Sequence, residues 1–284
     1  MFSGGSKRDG ENGKGVGQQR RHLKELKKTI QTYIPYGEIP IREKRFVSKT
    51  WYYYGPDSAQ LCKENPHPLY GPGDIEYVHN KRGYRCPEFD VEADFKIVSL
   101  GCSMVYGIGL PEHELFPTKI AKNLAPRFGN IVNWNLGYPL GSNDTISRLL
   151  IAAVETLHPD LVLINFTYLP RCEYYSADGL FDCNPHSVKS ANDLAIWINS
   201  HNGFIQVYKA YKLAESILES RNIEWFWSLV TDELLLIKNR LLMDKYAGIF
   251  SINDTARDHR HPGPKSNDLI CDKYMEKINK VWSV

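Results

Sequence analysis

The run Leu161-Val162-Leu163-Ile164-Asn165-Phe166 is apolar on both faces of an extended chain, so as a strand it tolerates water on neither side. Only a sheet covered by helices above and below accommodates it. The neighbouring sequence supplies such helices. Thr145–Leu157 carries Ile146, Leu149, Leu150, Ala153 and Leu157 at helical spacing, and Gly203–Ser220 carries Phe204, Val207, Tyr211, Ala214 and Leu218. Phe95–Leu100, Ile131–Leu136 and Ile223–Leu229 read as further strands, Glu114–Leu124 as a helix, and Asp268–Val281 as the closing helix. Strands alternating with helices predict an α/β domain: a three-layer α/β/α sandwich around a parallel sheet with right-handed crossovers.

Within Phe95–Gly109 the first strand stops at Gly101, and a hydroxyl, Ser103, follows at once. In an open parallel sheet the carboxyl ends of the strands form the crevice where ligands sit. A serine there either caps a helix or presents a nucleophile. A partner for the second role lies far downstream in Asp258-His259-Arg260-His261, where a carboxylate and an imidazole three residues apart meet on one turn. The carboxylate would fix the tautomer while the other ring nitrogen takes a hydroxyl proton, which makes Ser103, His261 and Asp258 a candidate catalytic triad. A rival use of the same stretch is a metal site built from Asp254, Asp258, His259 and His261.

The combination resembles the SGNH (GDSL-type) hydrolases, a family of esterases, lipases and carbohydrate deacetylases. Those enzymes carry the nucleophile in a Gly-Asp-Ser block after the first strand and end in Asp-x-x-His before the last helix. Here the blocks read Gly101-Cys102-Ser103, with cysteine in place of the usual aspartate, and Asp258-His259-Arg260-His261. Upstream, Asn80-Lys81-Arg82-Gly83-Tyr84-Arg85 is similar to the Asn-x-x-Gly-Phe-Arg lead-in of longer members, and the resemblance runs from Asn80 to Val284. It implies a flavodoxin-like parallel sheet, with Ser103 as nucleophile and oxyanion donor through its amide, His261 as base and Asp258 as the orienting acid. It also implies a second oxyanion amide from a glycine beyond the second strand; Gly141 matches, leaving Gly137 to the turn. The family's asparagine beyond the third strand is absent. Thr167-Tyr168-Leu169-Pro170-Arg171 stands there, and Asn165 lies inside the strand. Thr167 is the candidate substitute oxyanion donor, and Arg171 the candidate substrate-binding residue. The implied activity is hydrolysis of short-chain acyl esters, acetyl esters of carbohydrate foremost, with a small-molecule or carbohydrate substrate and no cofactor. The alternative is a non-catalytic carbohydrate-binding or structural protein that retains the fold.

Domain organisation is expected in three parts. Residues 1–19, rich in Gly, Ser, Lys and Arg without periodicity, read as a disordered tail. Residues 20–90 read as an irregular N-terminal extension: a basic amphipathic helix over Arg20–Tyr33, then an aromatic-rich stretch that includes Trp51-Tyr52-Tyr53-Tyr54. Those rings either stack on sugars or serve as the core of a layer with little other apolar material. Residues 91–284 form the hydrolase-like domain, with Arg171–Ala191 a polar insertion that would rim the cleft. A formal charge of +2 makes no case for nucleic acid as partner. No run approaches the ~20 apolar residues of a membrane span, and Met1–Gly15 lacks the apolar core of a secretion signal, so a soluble, cytoplasmic protein is expected. The six cysteines show no CxxC spacing and read as reduced thiols. Gly107-Ile108-Gly109 lacks the Gly-Lys-Ser/Thr ending of a phosphate loop. The sequence carries no signature of oligomeric state.

Overall fold

Strands buried on both faces pair in parallel, because crossover helices are what cover them. The computed structural model, which describes residues 21–27, 37–176, 179–183 and 200–282, follows that rule throughout its main sheet. In chain order the extension contributes β1 (Thr50–Trp51), α1 (Ala59–Glu64) and β2 (Tyr77–Val78). The domain then runs β3 (Phe95–Leu100), α2 (Ser103–Tyr106), α3 (Phe116–Phe128), β4 (Ile131–Asn135), α4 (Asn143–Thr156) and β5 (Leu161–Phe166). A hairpin of β6 (Cys172–Ser176) and β7 (Gly179–Cys183) leads to α5 (Ser200–Ser220), β8 (Glu224–Leu229), β9 (Tyr246–Ile249) and α6 (Pro264–Val281).

The main sheet is ordered β4-β3-β5-β8-β9, all pairs parallel. Its second strand lies outside its first, which is the flavodoxin-like order, and the reversal of winding opens a crevice between β3 and β5. Alternate residues feed opposite layers. Val98, Leu100, Val162, Ile164 and Trp225 meet α4 and α5, whereas Ile97, Leu161, Leu163 and Phe226 meet α3 and α6. The helix α4 starts on Ser142, whose hydroxyl accepts from the Asp144 and Thr145 amides while Thr145 returns a bond to the Ser142 amide.

The expected fold class is therefore the observed one, with two additions. The fifth strand, β9, was not visible in the sequence, and the hairpin falls where a polar insertion is expected. Of the amphipathic helix expected over residues 20–33, residues 21–27 are helical and exposed. The rest of it and the tail of residues 1–19 lie outside the described residues. The extension shares its core with the domain: Tyr70, Ile75 and Tyr77 pack with Tyr106, Ile108, Leu115 and Ala256.

Candidate active site

Ser103 is the first residue of α2, and the cap position belongs to Cys102, whose side chain makes no capping bond. The serine hydroxyl is thus left for another partner. The turn demands a glycine just before it, since a Cβ on Gly101 would lie 2.3 Å from Val105 Cγ2 and push the helix away. Ser103 Oγ stands 2.9 Å from His261 Nε2, and His261 Nδ1 stands 2.5 Å from Asp258 Oδ2. A carboxylate only accepts, so Nδ1 carries the proton and Nε2 is free to accept from the serine. Asp258 is buried. Burial pushes its carboxyl up, but the hydrogen bond and charge of His261, with the amides of His261 and Arg260, outweigh that and hold it below the ordinary carboxylate value.

The loop that carries both residues is braced from within and from the extension. Inside it, the Ala256 amide donates to His261 O (2.8 Å), and Asp258 Oδ1 accepts from the Arg260 and His261 amides. From outside, Arg257 N donates to Gly109 O at 3.0 Å. A Cβ on Gly109 would sit 3.0 Å from Arg257 N and 2.9 Å from Ala256 Cβ, so this glycine, at φ +76, is there to let the loop approach. The Gly109 amide in turn donates to the Tyr77 hydroxyl, which donates to Asp57 Oδ2 (2.5 Å).

Ser103 and His261 open into a cavity of about 830 Å³ whose wall comes from the extension, with Phe46, Trp51, Tyr53 and Tyr54, and from Tyr138 and Leu140 beyond β4. Arg171 lines the same cavity. Thr167 does not. It is 2% exposed, its hydroxyl accepts from Arg171 Nη1 at 3.1 Å, and its backbone is clasped by the Asn143 side-chain amide, with Thr167 N to Oδ1 3.0 Å and Nδ2 to Thr167 O 3.1 Å. The direct oxyanion role expected for Thr167 is therefore corrected to one of holding Arg171. Gly141 is corrected as well, because its amide donates to Tyr138 O at 2.8 Å and closes the turn instead of facing the cavity. Asn165 is a structural amide bonded to Ser228 Oγ.

The metal alternative fails on geometry. Asp254 accepts from the Lys265 and Ser266 amides at the start of α6, and His259 Nε2–H donates to Asn65 O. Among the described residues no group of His, Cys, Asp and Glu is arranged to hold a metal ion.

No family model matches the chain, and no curated protein does. Its backbone is similar to that of the psychrotrophic esterase EstA from Pseudoalteromonas sp., at 16% identity and a TM-score of 0.44, over 67% of this chain and 100% of that one. It is also similar to the family 3 carbohydrate esterase of Clostridium thermocellum, at 14% identity and a TM-score of 0.42, over 67% of this chain and 99% of that one. A member of the lipolytic protein G-D-S-L family from Veillonella parvula matches at 13% identity and a TM-score of 0.37, over 64% of this chain and 97% of that one. Two of these are esterases, and the third belongs to the G-D-S-L family whose blocks the sequence resembles. At such scores the chemistry rests on the site's own geometry.

That geometry includes the arginine that ends the upstream lead-in block and two asparagines with no motif to mark them. Arg85 is buried and donates to the carbonyls of Gly107 and Leu110 (2.7 and 2.8 Å), fixing the turn after Ser103 and its helix. Asn135 Nδ2 donates to Val105 O and Asn143 clasps Thr167, each a polar side chain at a strand or helix end. Four cysteines, Cys62, Cys86, Cys102 and Cys271, are free and buried. Among the described residues no helix is long and apolar enough to cross a membrane.

Proposed function

We propose that the chain is a serine ester hydrolase acting on short-chain acyl esters of a carbohydrate. The observation that carries the reading is the relay Ser103 Oγ to His261 Nε2 to Asp258, continuous at 2.9 and 2.5 Å, at the mouth of an aromatic cavity. Ser103 Oγ attacks the ester carbonyl and its proton passes to His261 Nε2. The tetrahedral intermediate then collapses, and the alcohol leaves with that proton. Water, deprotonated by the same nitrogen, attacks the acyl-serine, and the carboxylic acid departs as Ser103 regains its proton. Asp258 keeps its charge throughout and steadies the imidazolium. The Ser103 amide is the oxyanion donor of this reading. The sugar rings would lie along Trp51, Tyr53 and Tyr54.

A second reading, a carbohydrate-binding protein that has kept the fold, is favoured by one observation: the Gly141 amide is engaged with Tyr138 O. Labelling with a serine-directed phosphonate and turnover of 4-nitrophenyl acetate separate the two. The hydrolase reading expects adduct on Ser103 and hydrolysis; an unlabelled, inactive protein that still binds saccharide supports the other.

A further inference from the structure

We propose that the cavity selects a saccharide bearing a carboxylate, bound by Arg171 and Arg260. This deepens the hydrolase reading by naming its substrate class, and rests on that reading only for the acyl group. The cavity is lined by three arginines, Arg45, Arg171 and Arg260, against one acid, Glu43. Glu43 is already matched, since Arg45 Nε reaches its Oε2 at 2.7 Å. Among the described residues Arg171 bonds only neutral oxygens, Thr167 Oγ1 at 3.1 Å and Gly141 O at 3.5 Å, and lies over the Tyr168 ring. Arg260 is exposed, and among the described residues neither it nor Arg171 has a carboxylate partner. The two arrive from different elements, Arg260 from the His261 loop and Arg171 from the segment after β5.

A further guanidinium stands behind the wall. Arg42 is 6% exposed; its Nε donates to Gly83 O and its Nη1 to the Tyr54 hydroxyl, while Nη2 is buried without a partner. Its charge lies 4.6 Å from the ring centre of Phe46 and 5.5 Å from that of Tyr54, two rings of the cavity wall. Burying a cation is costly, Glu43 is the acid whose charge acts on Arg42, and a further anion in the adjoining cavity relieves that cost. A cleft lined by one sign of charge over apolar walls also focuses its field on the ligand. The planar guanidinium fork matches a carboxylate's two oxygens. A phosphate would need a nest of free amides, and the nearest candidate is spent: the Ile108 and Leu110 amides bond backbone carbonyls, and that of Gly109 bonds Tyr77.

Binding to the full-length Ser103→Ala protein tests this by titration calorimetry with trigalacturonate, which carries a carboxylate on every ring, and with neutral xylotriose. Trigalacturonate is expected to bind about tenfold tighter or more, as charge-assisted bonds imply. The preference should narrow in Arg171→Gln and in Arg260→Gln, and should fade in the parent protein at about 0.5 M salt. Equal affinity for the two trisaccharides, or a preference that neither salt nor either substitution moves, overturns the proposal. The salt series needs no arginine substitution, so a variant that fails to fold does not shield the idea. The serine variant does not turn over, so this outcome is independent of the hydrolase reading, which fails separately if the unaltered protein hydrolyses no ester.

Discussion

Arg257 grips Asp57 across 200 positions of sequence, Nε to Oδ1 and Nη2 to Oδ2 at 2.8 Å each, with both side chains buried. The same guanidinium donates to Tyr52 O and Gly71 O. Arg257 precedes Asp258, so the extension holds the loop of the proposed triad through this cation, together with the bonds His259 Nε2 to Asn65 O and His67 Nε2 to Thr255 O. The extension is therefore part of the site's frame as well as its wall.

Removing one member of such a pair strands the other charge, which typically costs about 3–5 kcal/mol. Asp57→Ala should lower unfolding free energy by that order in urea titration and reduce ester turnover by displacing Asp258. The double variant Asp57→Ala, Arg257→Met should lose much less than the sum of the singles, because no charge is left unpaired.

Nucleophile and base act as a unit, so Ser103→Ala and His261→Ala should each reduce kcat by roughly 10⁴-fold or more. Asp258→Asn should cost about 10⁴-fold by permitting the wrong tautomer of His261. Cys102 is fully buried in the layer beneath, so Cys102→Ala should retain activity and lose only stability. Turnover of 4-nitrophenyl acetate measures all four.

Thr167 is expected to act through Arg171. Thr167→Val removes the oxygen that Arg171 Nη1 donates to, and should raise KM for an acylated saccharide more than it lowers kcat; Thr167→Ser should restore it. A loss of about a hundredfold in kcat at constant KM would instead make one of these two side chains the oxyanion donor.

What the sequence made legible was what local pattern encodes. The two-sided apolar run of β5 required a covered parallel sheet, and a hydroxyl at a strand end with Asp258 and His261 three residues apart was enough to suggest a relay. β9 was illegible because Tyr246–Ile249 is four residues long and broken by Gly248 at φ +116. The Gly141 expectation failed because glycine at the right place does not say where its amide points, and a short turn aims it at Tyr138 O. Thr167 reads as a candidate donor just past a strand, yet it is buried, with its backbone clasped by the Asn143 side chain. The Arg257–Asp57 pair, like the aromatic wall, depends on contacts between distant segments, which no spacing rule reports.

His79 gives the extension a pH-dependent contribution to stability. It is buried; Nδ1–H donates to Lys49 O (3.0 Å), and Nε2 accepts from the Tyr106 hydroxyl (2.8 Å). Burial first, then the charges of Arg42 and Arg85, lower its pKa from 6.5 to about 4. The unfolded chain takes up this proton near its ordinary value, so between those two pH values the unfolded state binds more protons than the native one. Stability is therefore full above the unfolded pKa and falls as pH is lowered through the window, by up to about 1.4 kcal/mol per pH unit. Asp258, held below 3.8, loses its contribution only beneath that window, whereas His67, also lowered by burial, adds to the slope in the same direction. The comparison must be made against a variant. Urea titrations at pH about 7 and 5 should show a smaller loss in His79→Gln than in the parent, by roughly 1–2 kcal/mol. An unchanged difference would mean that His79 titrates normally in the native state and that its two hydrogen bonds tolerate the charged ring.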